Sequence, residues 1–217
     1  MLDVLQQQLA DIYQVELDHN IGDFLITDPA LAKVLGGAAL LPDTDETVLL
    51  VEGDDGLSLS VYLDEQMLSR LDEQDPLENL RPAQLGDLWT VLEGISHFNY
   101  IAWSAQKDKQ VTLLELEMQA EVDKFISTWM MAIGQDDVEL ADRMHGWLFD
   151  DVRFNPRLTS AQYERYAAAS GYAARFCHGL RHRLRSDSDR GLSELRHFYR
   201  LTQRDKISHI HAKAWSG

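Results

Sequence analysis

Residues 110–133, QVTLLELEMQAEVDKFISTWMMAI, constrain the fold more than any other stretch of the chain. Apolar residues recur there every three or four positions, which is the period of one face of an α-helix. The residues on this face are Val111, Leu114, Met118, Val122, Phe125, Trp129 and Ile133. Further apolar residues lie beside this face, and a helix that is apolar around so much of its circumference is usually central. The pattern therefore predicts the core helix of a mostly helical domain.

Two further stretches, 82–106 and 161–185, show the same helical period with apolar residues on one stripe. The polar hinge between 82–106 and the core helix is short, which favours antiparallel packing of these two helices. Residues 47–63 change to a strand-like pattern around Gly53-Asp54-Asp55-Gly56, which is the turn chemistry of a β-hairpin. The sequence therefore predicts an α+β fold that is predominantly α: a helical bundle of three core helices with one hairpin packed against it.

The predicted hairpin needs a covering element for its apolar face, because an isolated hairpin is marginally stable in water. No convincing third strand is visible, although residues 21–26 could supply a short one. We expect a single domain over residues 1–217. Within it, residues 1–80 form an acidic α/β-hairpin subregion, residues 81–206 form the helical bundle, and residues 207–217 form a frayed tail.

The formal net charge of −16 is distributed unevenly along the chain. Residues 1–100 carry −17, residues 101–150 carry −6 and residues 151–217 carry +7, and the bases of the last segment are almost all arginine. The simplest explanation is that the basic end folds back on the acidic end or that both are solvated. Alternatively, the basic end meets an anionic partner, or the acidic end docks a basic protein surface.

Seven arginines are the candidates for binding an anionic partner: Arg175, Arg181, Arg183, Arg185, Arg196, Arg200 and Arg204. Aromatic residues lie between them, and basic and stacking groups together suit single-stranded nucleic acid. However, the acidity of the whole chain opposes non-specific phosphate binding at long range. Pairing with the acidic half of the same chain accounts for these arginines equally well.

Two pairs of potential metal ligands lie on the two helices that are predicted to be adjacent. Glu93 and His97 are four residues apart on one helix, and Glu117 and Glu121 are four residues apart on the other. This spacing places each pair on one helix face. Carboxylates and imidazoles that project between helices hold the metals of di-iron bundles, but those proteins use Glu-x-x-His, with a spacing of three, on two helices.

His178 is a fifth candidate metal ligand, because it lies four residues before His182 and this spacing lets two imidazoles bind one metal. The pair lies opposite the apolar stripe of its helix, so we expect it to face solvent. Its arginine neighbours also make the position electrostatically poor for a cation. Solvated or partner-facing side chains are the competing explanation for all five candidates.

The sequence offers no support for nucleophilic catalysis or a phosphate-binding loop. There is no G-x-S-x-G elbow, the glycine-rich stretches lack the lysine and spacing of a phosphate loop, and Cys177 lies on an apolar stripe. Because Cys177 is the only cysteine, an intrachain disulfide is excluded. The N-terminus does not resemble a secretory signal, and no apolar run approaches the roughly 20 residues that cross a bilayer. These features predict a cytoplasmic protein that does not contact membranes.

The sequence favours a non-enzymatic cytoplasmic interaction protein, such as an adaptor, a chaperone-like protein or a regulatory subunit. No catalytic constellation is credible, and the opposite charges of the two ends suit a protein partner or self-association. Two alternatives stay open: a helical-bundle metal-binding enzyme or sensor, and a nucleic-acid-binding protein that uses the C-terminal arginines. We predict no catalytic residue and no cofactor.

Overall fold

The computed structural model describes residues 1–37, 44–53, 56–150, 152 and 154–214. Its helices are α1 (Leu2–Tyr13), α2 (Pro29–Gly36), α3 (Glu65–Glu73), α4 (Leu85–Gln106), α5 (Leu113–Gly134), α6 (Val138–Phe149), α7 (Ser160–Ser186), α8 (Ser188–Arg200) and α9 (Gln203–Ala214). Its strands are β1 (Leu25–Ile26), β2 (Glu46–Gly53) and β3 (Gly56–Leu63). The predicted fold class, a predominantly helical bundle with a β-hairpin, is confirmed.

Helix α5 is the centre of the bundle, as the sequence predicts. It packs against α1, α4, α6 and α7, and its side chains are buried almost all the way around from Glu117 to Ala132. Met118, Val122 and Phe125 are fully buried. Nowhere in the described part of the chain is a helix both long enough and apolar enough to span a membrane.

Several helices begin where a side chain accepts a hydrogen bond from a free backbone N–H group. Thr112 accepts from the amide of Glu115 at the start of α5, and Asp28 accepts from the amide of Ala30 at the start of α2. Thr159 and Gln162 form a capping box at the start of α7. Local capping signals therefore mark the start of α2, α5 and α7.

The hairpin is part of a three-stranded sheet with the strand order β1-β3-β2. Strands β2 and β3 pair antiparallel, with Glu46 opposite Leu63 and Val48 opposite Val61. Strand β1 pairs parallel to β3. It is the short third strand that residues 21–26 could supply according to the sequence. The predicted turn residues 54 and 55 lie outside the described residues.

Gly94 lets the sheet lie directly against α4. A Cβ atom at this position would lie 3.1 Å from Leu63 Cδ2, 3.2 Å from Glu46 Cγ and 3.3 Å from Val61 Cγ1. Leu63 and Val61 are fully buried there. Because Gly94 has no Cβ atom, the hairpin can lie close to α4. The first residue of β2 is therefore next to this helix.

The C-terminal segment is more ordered than the sequence predicts. In place of a frayed tail beginning at residue 207, helix α9 continues to Ala214 and packs against α7. Ile210 is buried, and Lys206 is completely buried with its ammonium donating to Gln119 Oε1 at 2.6 Å. These two contacts anchor a segment whose composition alone resembles a solvated end.

A polar network lies inside the bundle next to Lys206. Asp123 accepts hydrogen bonds from Tyr13, from Ser96 at 2.6 Å and from Gln119 at 2.8 Å. Burial raises the pKa of Asp123 to about 6, and burial lowers the pKa of Lys206 to about 7. Gln119 connects the two groups, so α9 is tied to α5 through polar contacts as well as apolar ones.

Gly94→Ala is expected to lower the free energy of unfolding by about 1–2 kcal/mol, because the added methyl crowds Glu46 and the fully buried Leu63 and Val61. The opposing gain in helix propensity is about 1 kcal/mol. Gly171→Ala in α7 is the matched control, because its Cβ meets no atom within 4 Å and it gains the same propensity. Urea unfolding measures the free energy of unfolding of the two variants. A Gly94→Ala protein as stable as Gly171→Ala contradicts the close approach.

Lys206→Met is expected to change how stability depends on pH. The unfolded chain holds this proton up to pH 10.5, whereas the folded protein releases it near pH 7, so the contribution of Lys206 to stability rises with pH between these values. The advantage of the wild type over the variant is expected to grow by about 2 kcal/mol between pH 7 and pH 9 in urea unfolding. The exposed Lys107→Met is the control, and an equal pH dependence of both variants contradicts the prediction.

Candidate metal centre

The four candidate ligands on α4 and α5 face one another across the helix pair. Glu93 and His97 are one turn apart on α4, and Glu117 and Glu121 are one turn apart on α5. The two helices run antiparallel, so His97 lies opposite Glu117 while Glu93 and Glu121 share the ammonium of Lys124. The structure therefore brings these four predicted residues together.

Glu46 joins them from the sheet, and sequence reasoning missed it. It is the first residue of β2, and the absence of a side chain at Gly94 allows its Cγ to lie against α4. In the sequence it is one of several acids that precede the strand, and no local pattern distinguishes it from them. We call Glu46, Glu93, His97, Glu117 and Glu121 the acid–histidine cluster.

His97 lies between two carboxylates. Its Nδ1 is 3.4 Å from Glu46 Oε1, and its Nε2 is 3.5 Å from Glu117 Oε2. The His97 and Glu117 side chains are each 8% exposed, and within the described residues His97 Nε2 and Glu46 Oε1 have no hydrogen-bond partner. Burial lowers the pKa of His97, but the two carboxylates outweigh burial and hold this pKa well above its ordinary value. Burial raises the pKa of Glu46, although His97 opposes the rise.

Lys124 neutralises the other two carboxylates. Its Nζ is 2.6 Å from Glu93 Oε2 and 2.8 Å from Glu121 Oε1. Burial alone raises the pKa of Glu93, but Lys124 outweighs burial and the net pKa is below its ordinary value. For Glu121, burial prevails and the pKa is raised. The two acids that share one ammonium therefore differ in their readiness to ionise.

The carboxylates of the acid–histidine cluster outnumber the cations that face them. Its four carboxylates face three cations: Lys124, a protonated His97, and Arg165, whose Nε is 3.5 Å from Glu117 Oε1. If all are ionised, one negative charge remains in excess. Replacing the imidazolium proton by a divalent cation brings the sum to zero, because metal ligands bind in their deprotonated forms.

Glu46, Glu93 and His97 have the arrangement of a three-ligand metal site. One donor atom from each residue lies within 4.8 Å of the others. Two ligand atoms bound to the same ion at about 2.1 Å in tetrahedral geometry are about 3.4 Å apart. The separation of 3.4 Å between His97 Nδ1 and Glu46 Oε1 matches this value.

A cavity of about 400 Å³ opens beside these ligands. Glu46, Glu93, Glu121 and Lys124 line it, together with the polar residues Thr44, Thr90 and Asn155. Its apolar lining comes from α4, α6, α7 and the segment between α6 and α7, and consists of Trp89, Trp147, Leu148, Val152, Phe154, Leu158 and Tyr166. The candidate metal position therefore adjoins an open space that both polar and apolar side chains line.

His178 lies apart from the acid–histidine cluster. It is 13 residues beyond Arg165 on α7, which corresponds to about 20 Å along the helix. It is exposed, as predicted, and its ring is 5.3 Å from that of His182 and 5.5 Å from that of His145. Burial and the neighbouring Arg181 lower the pKa of His178. The structure therefore gives His178 no acidic co-ligand among the five predicted residues.

Six of the seven candidate arginines contact groups of their own chain. Arg175 lies over the ring of Tyr172, Arg181 contacts His178, Arg183 pairs with Glu194, Arg185 pairs with Asp142, and Arg196 and Arg200 donate to backbone carbonyls of Ile12 and Tyr13. Arg204 lies exposed on α9. The basic end therefore folds back onto the chain, including the acidic N-terminal half.

Comparison with known proteins adds no assignment to this geometry. No protein-family model, no curated protein and no solved structure matches the chain. The function must therefore be argued from the acid–histidine cluster and the cavity themselves.

His97→Gln is expected to destabilise the protein more at pH 6 than at pH 9. The folded pKa of His97 is raised above its unfolded value of 6.5, so its ion pairs stabilise fully below pH 6.5 and the stabilisation is lost as pH rises through the folded pKa. Breaking a buried pair costs about 3 kcal/mol or more. Urea unfolding at the two pH values gives the cost. The exposed His19→Gln is the control, and a cost for His97→Gln that does not depend on pH contradicts the charged state of His97.

Proposed function

We propose that the chain is a helical-bundle metal-binding protein of the enzyme or sensor class, with its metal held by Glu46, Glu93 and His97. The observation that carries the proposal is the convergence of three donor atoms from α4 and β2 within 4.8 Å. His97 is buried, and its Nδ1 already faces Glu46 Oε1 at 3.4 Å, where a metal would replace the imidazolium proton.

The ligand set indicates which metals the site would take. Two carboxylates and one imidazole suit Mn²⁺, Fe²⁺ or Zn²⁺, whereas a soft Cu(I) site would require thiolate or thioether ligands. Glu117 faces the other nitrogen of His97 and would orient the ring from behind. Glu121 and Lys124 would adjust the charge at Glu93, which they adjoin.

The cavity supports an enzyme or sensor role over a purely structural one. Structural metal sites are closed by protein ligands, whereas catalytic sites keep a coordination position open to water or substrate. Glu46 and Glu93 both line the cavity, so a metal between them would have one side open to it. The protein also has a filled apolar core without the metal, so the ion is not needed to build one.

The other roles that the sequence suggests stay predictions. An interaction protein needs a partner, and nothing in the described residues identifies one. A nucleic-acid-binding role would use arginines, and several of these are engaged by carboxylates or carbonyls of the same chain. The metal role is the one that a specific arrangement of side chains favours.

The proposal predicts that metal-free, untagged protein binds one Co²⁺ or Mn²⁺ per chain. Co²⁺ binding is expected to give visible d–d absorption and to release a proton from His97 below the raised pKa of that residue. His97→Gln and Glu46→Gln are each expected to weaken binding at least tenfold. Isothermal titration in two buffers of different ionisation enthalpy measures affinity and proton release together.

His178→Gln with His182→Gln is the matched control, because it removes two histidines at metal-ligand spacing from the exposed face of α7. This double variant is expected to bind Co²⁺ as tightly as the wild type. Equal Co²⁺ affinity of the wild type and the His97→Gln protein would overturn the proposal, as would the absence of binding to folded wild type.

A further inference from the structure

A groove lies on the surface of the bundle between α1 and α8, with one lining residue from α5. Its volume is about 570 Å³, and most of its lining surface is apolar. Val4 on α1 is 55% exposed, and Met130 on α5 and Leu192 on α8 are half-buried. Arg196 spans one end, because its Nε donates to the carbonyl oxygen of Ile12 at 2.8 Å. The groove therefore leaves apolar side chains accessible to a partner.

Two exposed acids of α1 line the same groove. Asp3 and Asp11 are eight residues apart, which corresponds to about 12 Å along the helix. Within the part of the chain that the structure describes, no Lys or Arg forms an ion pair with either carboxylate. Arg196 also lines the groove, but its guanidinium already donates to α1. The two carboxylates are therefore accessible to a cation from outside the chain.

An acidic depression adjoins this groove across α1. Its volume is about 620 Å³, and among the described residues that line it there is no Lys or Arg. Asp3, Gln7 and Asp11 line both spaces and form the ridge between them, because they follow one another at a spacing of four on α1. Glu16 and Asp18 add two exposed carboxylates on the far side. The surface therefore presents an apolar strip and an acidic strip side by side.

We infer that the groove binds a basic amphipathic helix of a partner protein. The apolar side chains of that helix lie in the groove, and its Lys and Arg residues lie over α1 and meet the acidic strip. Apolar anchors at positions i, i+4 and i+7 of a helix span about 10 Å, which is close to the distance between Asp3 and Asp11 along α1. The inference does not rest on the proposed metal site, with which the groove shares no lining residue.

The charge of the chain favours this occupant over others. A net charge of −16 attracts a basic segment and accelerates its encounter with the acidic strip. The same charge repels nucleic acid and anionic lipid headgroups. A second copy of the chain fits less well, because two molecules that each carry −16 repel one another. Charge complementarity therefore selects a basic helix, and the apolar groove selects an amphipathic one.

The test uses three fluorescently labelled helical peptides of about 18 residues. The Leu–Lys peptide has Leu at every third or fourth position and Lys at the others. In the Leu–Glu peptide Glu replaces every Lys, and in the Ala–Lys peptide Ala replaces every Leu. Fluorescence anisotropy at physiological salt measures the affinity of each peptide for the full chain. The Leu–Lys peptide is expected to bind about tenfold or more tightly than either of the others, because it alone matches both strips.

Val4→Arg tests the apolar strip, because it places a long charged side chain in the groove. It is expected to weaken binding of the Leu–Lys peptide about tenfold. Val138→Arg is the matched control, since Val138 lies at the start of α6 and is 56% exposed, nearly the same as Val4. This control is expected to bind the peptide like the wild type, as is His97→Gln, which changes the proposed metal site alone.

Asp3→Asn with Asp11→Asn tests the acidic strip. This double variant is expected to weaken the Leu–Lys peptide by a factor of about three to ten and to make its affinity depend less on salt. Asp72→Asn with Glu73→Gln is the control, because it removes two exposed carboxylates from α3, outside both strips. The control is expected to retain the affinity and the salt dependence of the wild type.

Several results would overturn the inference. One is that the folded wild type does not bind the Leu–Lys peptide. Another is that it binds the Ala–Lys peptide equally well, because attraction between opposite charges is then sufficient. Equal affinity of Val4→Arg and Val138→Arg would show that the peptide does not use the groove. Light scattering of the wild type alone tests the second copy: a dimer that Val4→Arg dissociates would mean that another copy of the chain fills the groove. The Co²⁺ titrations decide the metal site separately, whichever result is obtained here.

Discussion

Charged side chains inside a protein are stable only where each meets an opposite charge or a full set of hydrogen bonds, and the α4–α5 pair is built under this constraint. Adjacent residues on these helices point about 100° apart. Ser96 therefore hydrogen-bonds to Asp123 in the polar network next to Lys206. The next residues along the two helices, His97 and Lys124, pair instead with carboxylates of the acid–histidine cluster. The polar network and the acid–histidine cluster therefore lie on different sides of the α4–α5 interface, and the other elements of the bundle cover both.

Lys124 supplies part of the positive charge that the carboxylates of the acid–histidine cluster require. Its ammonium satisfies one oxygen of Glu93 and one of Glu121, and a protonated His97 stands between the remaining carboxylates. A divalent ion must therefore compete with the proton of His97 and with the Lys124–Glu93 pair. At the proposed metal site, this competition would lower metal affinity at acidic pH and would favour an exchangeable metal over a permanently bound one.

The sequence reveals the parts of this site that depend on helix periodicity. The 3.6-residue period locates α4, α5 and α7, and the spacing of four places Glu93 with His97 and Glu117 with Glu121. The grouping of these four residues follows from two antiparallel neighbours joined by a short hinge.

The remaining features depend on contacts between segments that are distant in sequence. Glu46 reaches the cluster only because Gly94 admits the sheet, and nothing near either residue indicates the other. Lys206 has the composition of a surface residue, yet it is buried because Gln119 and two aromatic rings receive its ammonium. His178 has a suitable spacing to His182, but the length of α7 places it far from the acids.

The uneven charge of the chain is partly neutralised by contacts within the folded protein. Arg196 and Arg200 donate to carbonyls at the end of α1, and Arg183 and Arg185 pair with acids of the bundle, so much of the basic end is used internally. The net charge of −16 then acts outward as a negative field. Such a field raises the local concentration of cations and lowers that of polyanions. The overall charge, like the acids that line the cavity, therefore favours the arrival of a metal cation over that of nucleic acid.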